Sequence, residues 1–69
     1  MILTRTRDDG PVVEYTDRPI RECGKIVAYC AADNLGWSQR RATDEGVKAE
    51  RAFTVGEPYV LGRYTFTVA

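Results

Sequence analysis

The chain has 69 residues, of which ten are Lys or Arg, ten are Asp or Glu and none is His. This length allows a single domain, residues 1–69, because domains usually need on the order of 100 residues or more. The formal charge of zero disfavours a general polyanion binder, since binding a phosphate backbone needs net or clustered positive charge. The missing histidine removes the commonest general base and the commonest metal ligand.

The first sixteen residues have the pattern of a β-hairpin. Ile2–Arg7 and Val12–Thr16 contain the β-branched residues that strands favour. Between them, Asp8–Pro11 is typical of a turn, because Asp side chains bond to the local backbone and Gly tolerates a positive φ. We therefore expect two antiparallel strands here.

The segment Arg18–Asn34 has the apolar periodicity of an amphipathic helix. One stripe recurs with the 3.6-residue period and consists of Ile20, Cys23, Val27, Cys30 and Ala31. Asp17 is the expected N-cap, with Pro19 in the first turn, where its missing N–H costs nothing. Gly36 is expected to follow the end of the helix.

The middle of the chain is compatible with two structures. As strands, Trp37–Ala42 and Val47–Val55 would flank a type I turn at Thr43–Gly46. As a helix over 38–53, the segment would begin at the cap Ser38 and continue through a run of good helix formers. We favour the strands.

The C-terminal segment Tyr59–Val68 follows a turn at Gly56–Pro58 and is predicted as one long strand, because β-branched and aromatic residues predominate. Alternate residues of such a strand share a face: Tyr64, Phe66 and Val68 on one, and Tyr59, Leu61, Arg63, Thr65 and Thr67 on the other. Gly62 would mark a bulge or a close backbone approach.

Taken together, these segments predict a small α+β domain. It has an N-terminal hairpin, one amphipathic helix and a C-terminal antiparallel β-meander. The element order is ββαβββ, or ββααβ if residues 38–53 are helical.

The residue types that usually carry catalysis or bind metals lack suitable partners. On a helix, Cys23 and Cys30 would lie about 10.5 Å apart, beyond the roughly 4.4–6.8 Å that a disulfide spans. Two thiols without His cannot complete a zinc site, so we expect buried core thiols. The carboxylate pairs Asp8-Asp9 and Asp44-Glu45 lie in predicted turns. We therefore predict a non-enzymatic protein with no catalytic residue, no metal and no cofactor.

Aromatic residues point to protein binding. Trp, Tyr and Arg are the types enriched at interface hot spots, and the candidates for protein binding are Trp37, Arg40, Arg41 and Tyr59. The sequence predicts an inhibitor, adaptor or assembly component that binds another protein, or a second copy of itself through an unpaired strand edge. Its composition, rich in Arg, Ala, Gly, Asp and Val, is typical of short bacterial and phage proteins.

The alternative is a small DNA-binding regulator. It would use Gln39, Arg40 and Arg41 on a short recognition helix, with a β-hairpin wing formed by 54–68. Against it, no basic half is hidden in the chain, since residues 1–34 carry five basic and six acidic groups and residues 35–69 carry five and four. Nucleic acid is therefore the disfavoured partner.

No apolar segment follows Met1, and no run is long enough to span a bilayer. We therefore expect a cytoplasmic protein with no membrane partner.

Overall fold

The computed structural model describes all 69 residues and has the element order ββααββ. The elements are β1 (Leu3–Arg7), β2 (Val13–Tyr15), α1 (Ile20–Leu35), α2 (Gln39–Thr54), β3 (Tyr59–Leu61) and β4 (Tyr64–Val68). The four strands form one antiparallel sheet in the order β2-β1-β4-β3. The predicted α+β class is confirmed, and β3 and β2 are the edge strands.

The N-terminal hairpin is confirmed, and its register pairs Leu3 with Tyr15 and Arg5 with Val13. Strand β1 also pairs along its whole length with β4, from Leu3 opposite Val68 to Arg7 opposite Tyr64. The two ends of the chain are therefore joined at the centre of the sheet, where β1 lies between β2 and β4.

Helix α1 is confirmed, but its predicted cap is wrong. Pro19 occupies the N-cap position, and no side chain accepts a hydrogen bond from the first turn. Asp17 instead has φ 54°, the left-handed conformation that Asp tolerates better than most residues, and it lies in the connection from β2 to α1. At the other end, Gly36 adopts φ 68° and its N–H donates to the carbonyl of Ala31, as expected for a glycine that follows a helix.

The middle of the chain is helical, so the favoured strands Trp37–Ala42 and Val47–Val55 are wrong. Ser38 is the N-cap, and its Oγ accepts a hydrogen bond from the backbone N–H of Arg41 at 3.3 Å. One face of α2 is buried and consists of Ala42, Gly46, Ala49 and Phe53. These residues recur at helical spacing, and three of them are small, which lets α2 approach α1 closely.

The two helices cross at a pair of glycines. A Cβ built on Gly24 would lie 2.8 Å from the carbonyl oxygen of Gly46, and one built on Gly46 would lie 2.8 Å from the carbonyl oxygen of Gly24. Real Cβ atoms do not approach backbone oxygen this closely. The absence of side chains at both positions therefore sets the distance between the helices.

The segment Tyr59–Val68 is a hairpin, which corrects the prediction of a single strand. Gly62 has φ 58° and, with Arg63, forms a two-residue turn. A positive φ at the first turn residue alone corresponds to a type II′ turn. Because the chain reverses here, Tyr59 lies opposite Phe66 and Leu61 opposite Tyr64, so these four side chains share one face instead of dividing between two.

The core lies between the helices and one face of the sheet. Its eleven buried residues are Leu3, Cys23, Val27, Cys30, Ala31, Ala42, Ala49, Phe53, Leu61, Tyr64 and Phe66. On the opposite face of the sheet, the central cross-strand pairs are Thr4 with Thr67 and Thr6 with Thr65. Neither helix has the length and apolarity that crossing a bilayer requires.

Candidate functional site

Trp37 lies in the connection between the two helices, half-buried against the core. Its backbone N–H donates to the carbonyl of Ala31 at 3.1 Å, which ties the connection to the end of α1. In the first turn of α2, the guanidinium carbon of Arg41 lies 3.8 Å from the centroid of the Trp37 ring. This cation–π contact holds the guanidinium of Arg41 over the indole ring.

Glu45 connects this pair to the sheet. It follows Arg41 by one helical turn, and the hydroxyl of Tyr59 donates a hydrogen bond to its Oε1. The ammonium group of Lys48 donates to Oε2 at 3.4 Å. The hydrogen bond from Tyr59, with smaller contributions from Lys48 and Arg41, lowers the pKa of Glu45 from its usual value. The pKa of Tyr59 is raised, first by burial and then by the same carboxylate.

Five side chains thus form one continuous surface along the side of α2 that faces β3, which we call the Trp37–Tyr59 surface: Trp37, Arg41, Glu45, Lys48 and Tyr59. The structure brings together three of the four residues predicted from the sequence to bind protein. Glu45 and Lys48 are not among the residues predicted from the sequence, because the favoured strands place them in a turn and in a strand. Their positions four and seven residues after Arg41 follow the helical spacing that would have revealed them.

The fourth predicted residue, Arg40, is exposed on α2 and forms no ion pair. Successive residues of a helix differ by about 100° in direction, so Gln39, Arg40 and Arg41 project to different sides. Gln39 lines the groove between the helices, whereas Arg41 rests on Trp37. The three residues proposed to read DNA therefore do not share one face.

The groove between α1 and α2 has a volume of about 380 Å³ and opens on the side away from the sheet. Its floor is formed where the helices cross at Gly24 and Gly46, and Ala28 lines it beside the crossing. The side chains of Tyr29 and Val47 lie along it and are 64% and 45% exposed. Its lining is mixed, because the charged residues Arg21, Lys25 and Glu50 border the groove together with a few apolar side chains.

Both cysteines are free, and their expected burial in the core is confirmed. Burial raises the pKa of the Cys23 thiol and of the Cys30 thiol, so both remain protonated and poorly nucleophilic at neutral pH. The Cys30 sulfur accepts a hydrogen bond from the Asn34 amide at 3.5 Å.

The chain has no match among known proteins. No family model matches it, and neither a curated protein nor a solved structure matches it, so no relative indicates its function.

Proposed function

We propose that this protein is a small non-enzymatic protein-binding module of the cytoplasm that contacts its partner through the Trp37–Tyr59 surface. The observation that carries the proposal is the stacking of Arg41 on Trp37, 3.8 Å from the ring centroid, beside a Tyr59 held by Glu45. Trp, Tyr and Arg supply most hot-spot residues at protein interfaces. Because these contacts order the side chains before a partner arrives, less conformational entropy is lost on binding.

The charges of the surface indicate the chemistry of the partner. Arg41 and Lys48 are exposed, and Glu45 is the one carboxylate among the five side chains of the surface. The surface therefore contains two aromatic side chains and has a net charge of +1. A protein that presents an apolar side chain to the Trp37 ring and a carboxylate to Arg41 would be complementary to it.

The neighbouring strand β3 supports strand addition as part of the contact. It is an edge strand in the order β2-β1-β4-β3, and its central residue Val60 is 64% exposed. Edge strands offer unpaired backbone groups to a partner strand. The added strand would come from another protein or from a second copy of this chain. The proposed origin of the chain itself is a bacterium or a phage.

A non-enzymatic role is supported by the state of the nucleophiles. Cys23 and Cys30 are buried with raised pKa values. The one serine, Ser38, accepts the capping hydrogen bond of α2. No histidine is available to activate any of these three side chains.

The test is a comparison of partner recovery by matched variants. Wild-type protein, Arg41→Glu and the control Arg51→Glu would be used as affinity baits in extract of the native host, followed by mass spectrometry. Arg51 is exposed on the same helix, so the two variants change the charge equally. A protein recovered by wild type and by Arg51→Glu but lost with Arg41→Glu supports the surface. Equal recovery by both variants would exclude it.

A second candidate function, DNA binding, is favoured by one specific observation. A helix, Gln39–Thr54, is followed directly by a two-stranded hairpin, Tyr59–Val68, which is the arrangement that the recognition-helix alternative needs. A gel-shift series with increasing salt separates the two functions. DNA binding requires a shift at low salt that weakens steeply as salt rises, and no shift at low salt removes this candidate.

A further inference from the structure

A separate cavity of about 320 Å³ lies where the β3–β4 turn meets the end of α1. It is lined by two arginines, an amide, a phenol, a leucine and a glycine, which together we call the Arg7–Arg63 pocket: Arg7, Asn34, Leu35, Gly62, Arg63 and Tyr64. It shares no residue with the Trp37–Tyr59 surface.

The pocket has an excess of positive charge. Arg63 forms no ion pair, and neither does Arg5, whose guanidinium carbon lies 5.3 Å from the centroid of the Tyr64 ring. Arg7 lies 5.7 Å from the same centroid. It pairs with Asp9 through Nε at 3.2 Å, which leaves its terminal amino groups available. Arg5 lies outside the lining of the pocket, so the two arginines that line it, Arg7 and Arg63, are balanced by one carboxylate and leave an excess of one positive charge.

The end of α1 accounts for only part of this excess. The helix has no basic residue in its own last turn, so nearby arginines offset the partial negative charge of its C-terminus. That charge amounts to about half an elementary charge, which is less than one guanidinium carries. The Ala31 carbonyl already accepts hydrogen bonds from Gly36 and Trp37. Most of the donor capacity of the arginines remains unused.

We propose that the Arg7–Arg63 pocket binds a phosphate monoester, with the phosphate between the two guanidinium groups and the organic group against Leu35 and Tyr64. A phosphate monoester carries a charge of about −1.5 to −2 at pH 7 and three acceptor oxygens, so its charge is opposite in sign to the excess charge of the pocket. Guanidinium groups bind phosphate through paired hydrogen bonds. The Asn34 amide supplies a further donor, since its bond to the Cys30 sulfur uses one of its two hydrogens.

The volume limits the organic group to a small one. Ligand pockets usually range from about 300 to 1,000 Å³, and this one lies at the lower end. The phosphate would belong to a small phosphorylated metabolite or to a phosphorylated side chain of a protein. Both sources share the same chemistry at Arg7 and Arg63.

The experiment is an NMR titration of the folded protein with phenyl phosphate, inorganic phosphate and acetate, followed through the backbone amides. Arg63→Ala removes one guanidinium from an exposed turn, and Arg40→Ala removes one from an exposed site on α2. We expect saturable shifts at Leu35, Gly62 and Arg63 with phenyl phosphate. Arg63→Ala should weaken binding by about tenfold or more, because hydrogen bonds to charged groups are the strong ones. Arg40→Ala should change it by less than about twofold, since solvent screens a distant exposed charge.

Three results would overturn the proposal: shifts that do not saturate, equal weakening by Arg40→Ala, or acetate binding as tightly as phenyl phosphate. A phosphotyrosine peptide distinguishes the two sources. Tighter binding of the peptide than of phenyl phosphate assigns the phosphate to a protein partner, and equal binding assigns it to a small molecule. Arg41→Glu should leave the titration unchanged. The proposal for this pocket is therefore tested independently of the proposal for the Trp37–Tyr59 surface.

Discussion

The helix crossing gives the most direct test of how this fold is held together. In Gly46→Ala, the new methyl carbon would lie 2.8 Å from the carbonyl oxygen of Gly24 and 3.0 Å from the Cβ of Ala28. Ordinary contacts begin at 3.4 Å, so the helices must separate by about half an ångström. Backbone atoms cannot rotate away, and the movement would loosen the packing of Ala49 and Phe53 in the core.

Two opposing effects set the size of the change. Alanine favours a helix over glycine by about 1 kcal/mol, whereas overpacking a tight site costs about 1–3 kcal/mol. We expect the overpacking to be the larger effect, because the closest neighbour of the new methyl group is a backbone atom. The difference between the two effects predicts that Gly46→Ala lowers the free energy of unfolding by up to about 2 kcal/mol. The midpoint of thermal unfolding should fall by about 4–8 °C for each kcal/mol in a domain of this size.

Urea and thermal unfolding, followed by far-UV circular dichroism, measure this loss. The matched control is Thr43→Ala, an exposed position on the same helix that gains helix propensity without a close contact, and it should be neutral or stabilising by about 0.5 kcal/mol. The double variant with Gly24→Ala should lose less than the sum of the two single losses, because the first methyl group already separates the helices. If Gly46→Ala instead raised the free energy of unfolding by about 1 kcal/mol, the full gain in helix propensity, the close helix packing would be refuted.

Three other changes test the core and the candidate site. Tyr59→Phe should raise the pKa of Glu45 toward its usual value, measurable by NMR titration of the carboxyl group. Because folding lowers the pKa of Glu45, its contribution to stability is present above the unfolded pKa of about 4.5 and is lost as pH falls through the folded value. Phe53→Ala should destabilise by about 3–5 kcal/mol, enough to leave much of the protein unfolded in a circular dichroism melt. Native Cys23 and Cys30 should react with a thiol reagent only as fast as the protein opens.

Each of these has a contradicting result. An unchanged Glu45 titration in Tyr59→Phe would show that the hydroxyl does not set the pKa of the carboxylate. A small stability loss in Phe53→Ala would contradict its position in the core, for which Val60→Ala, an exposed site, is the control. Fast thiol labelling under native conditions would contradict the burial of Cys23 and Cys30.

The candidate site could be predicted only in part. Trp37, Arg41 and Tyr59 were identifiable as residue types that bind proteins, and the structure places them on one surface. Glu45, which links them, was assigned to a turn. Its contact with Tyr59 joins residues fourteen positions apart. Helix and strand periodicities relate only residues a few positions apart, so they could not predict this contact.

The amino-acid sequence by itself determined the N-terminal hairpin and the position of α1. Both depend on short-range chemistry: β-branched runs around an Asp-Gly turn, and an apolar stripe that ends before Gly36. The neutral charge of each half of the chain is likewise a property of composition.

Only the tertiary structure decided the state of the middle segment. Its residues are compatible locally with strands or with a helix, and Ala42, Gly46 and Ala49 form too weak an apolar stripe to choose between them. Packing against α1 favours the helix, because a helical segment buries these small residues against α1. Neither Gly24 nor Gly46 has a side chain, so the two backbones can pack closely there. The sheet pairing that reverses the chain at Gly62 likewise decided that Tyr59 faces the helices. Burial against distant residues therefore formed the surface on which the proposed function depends.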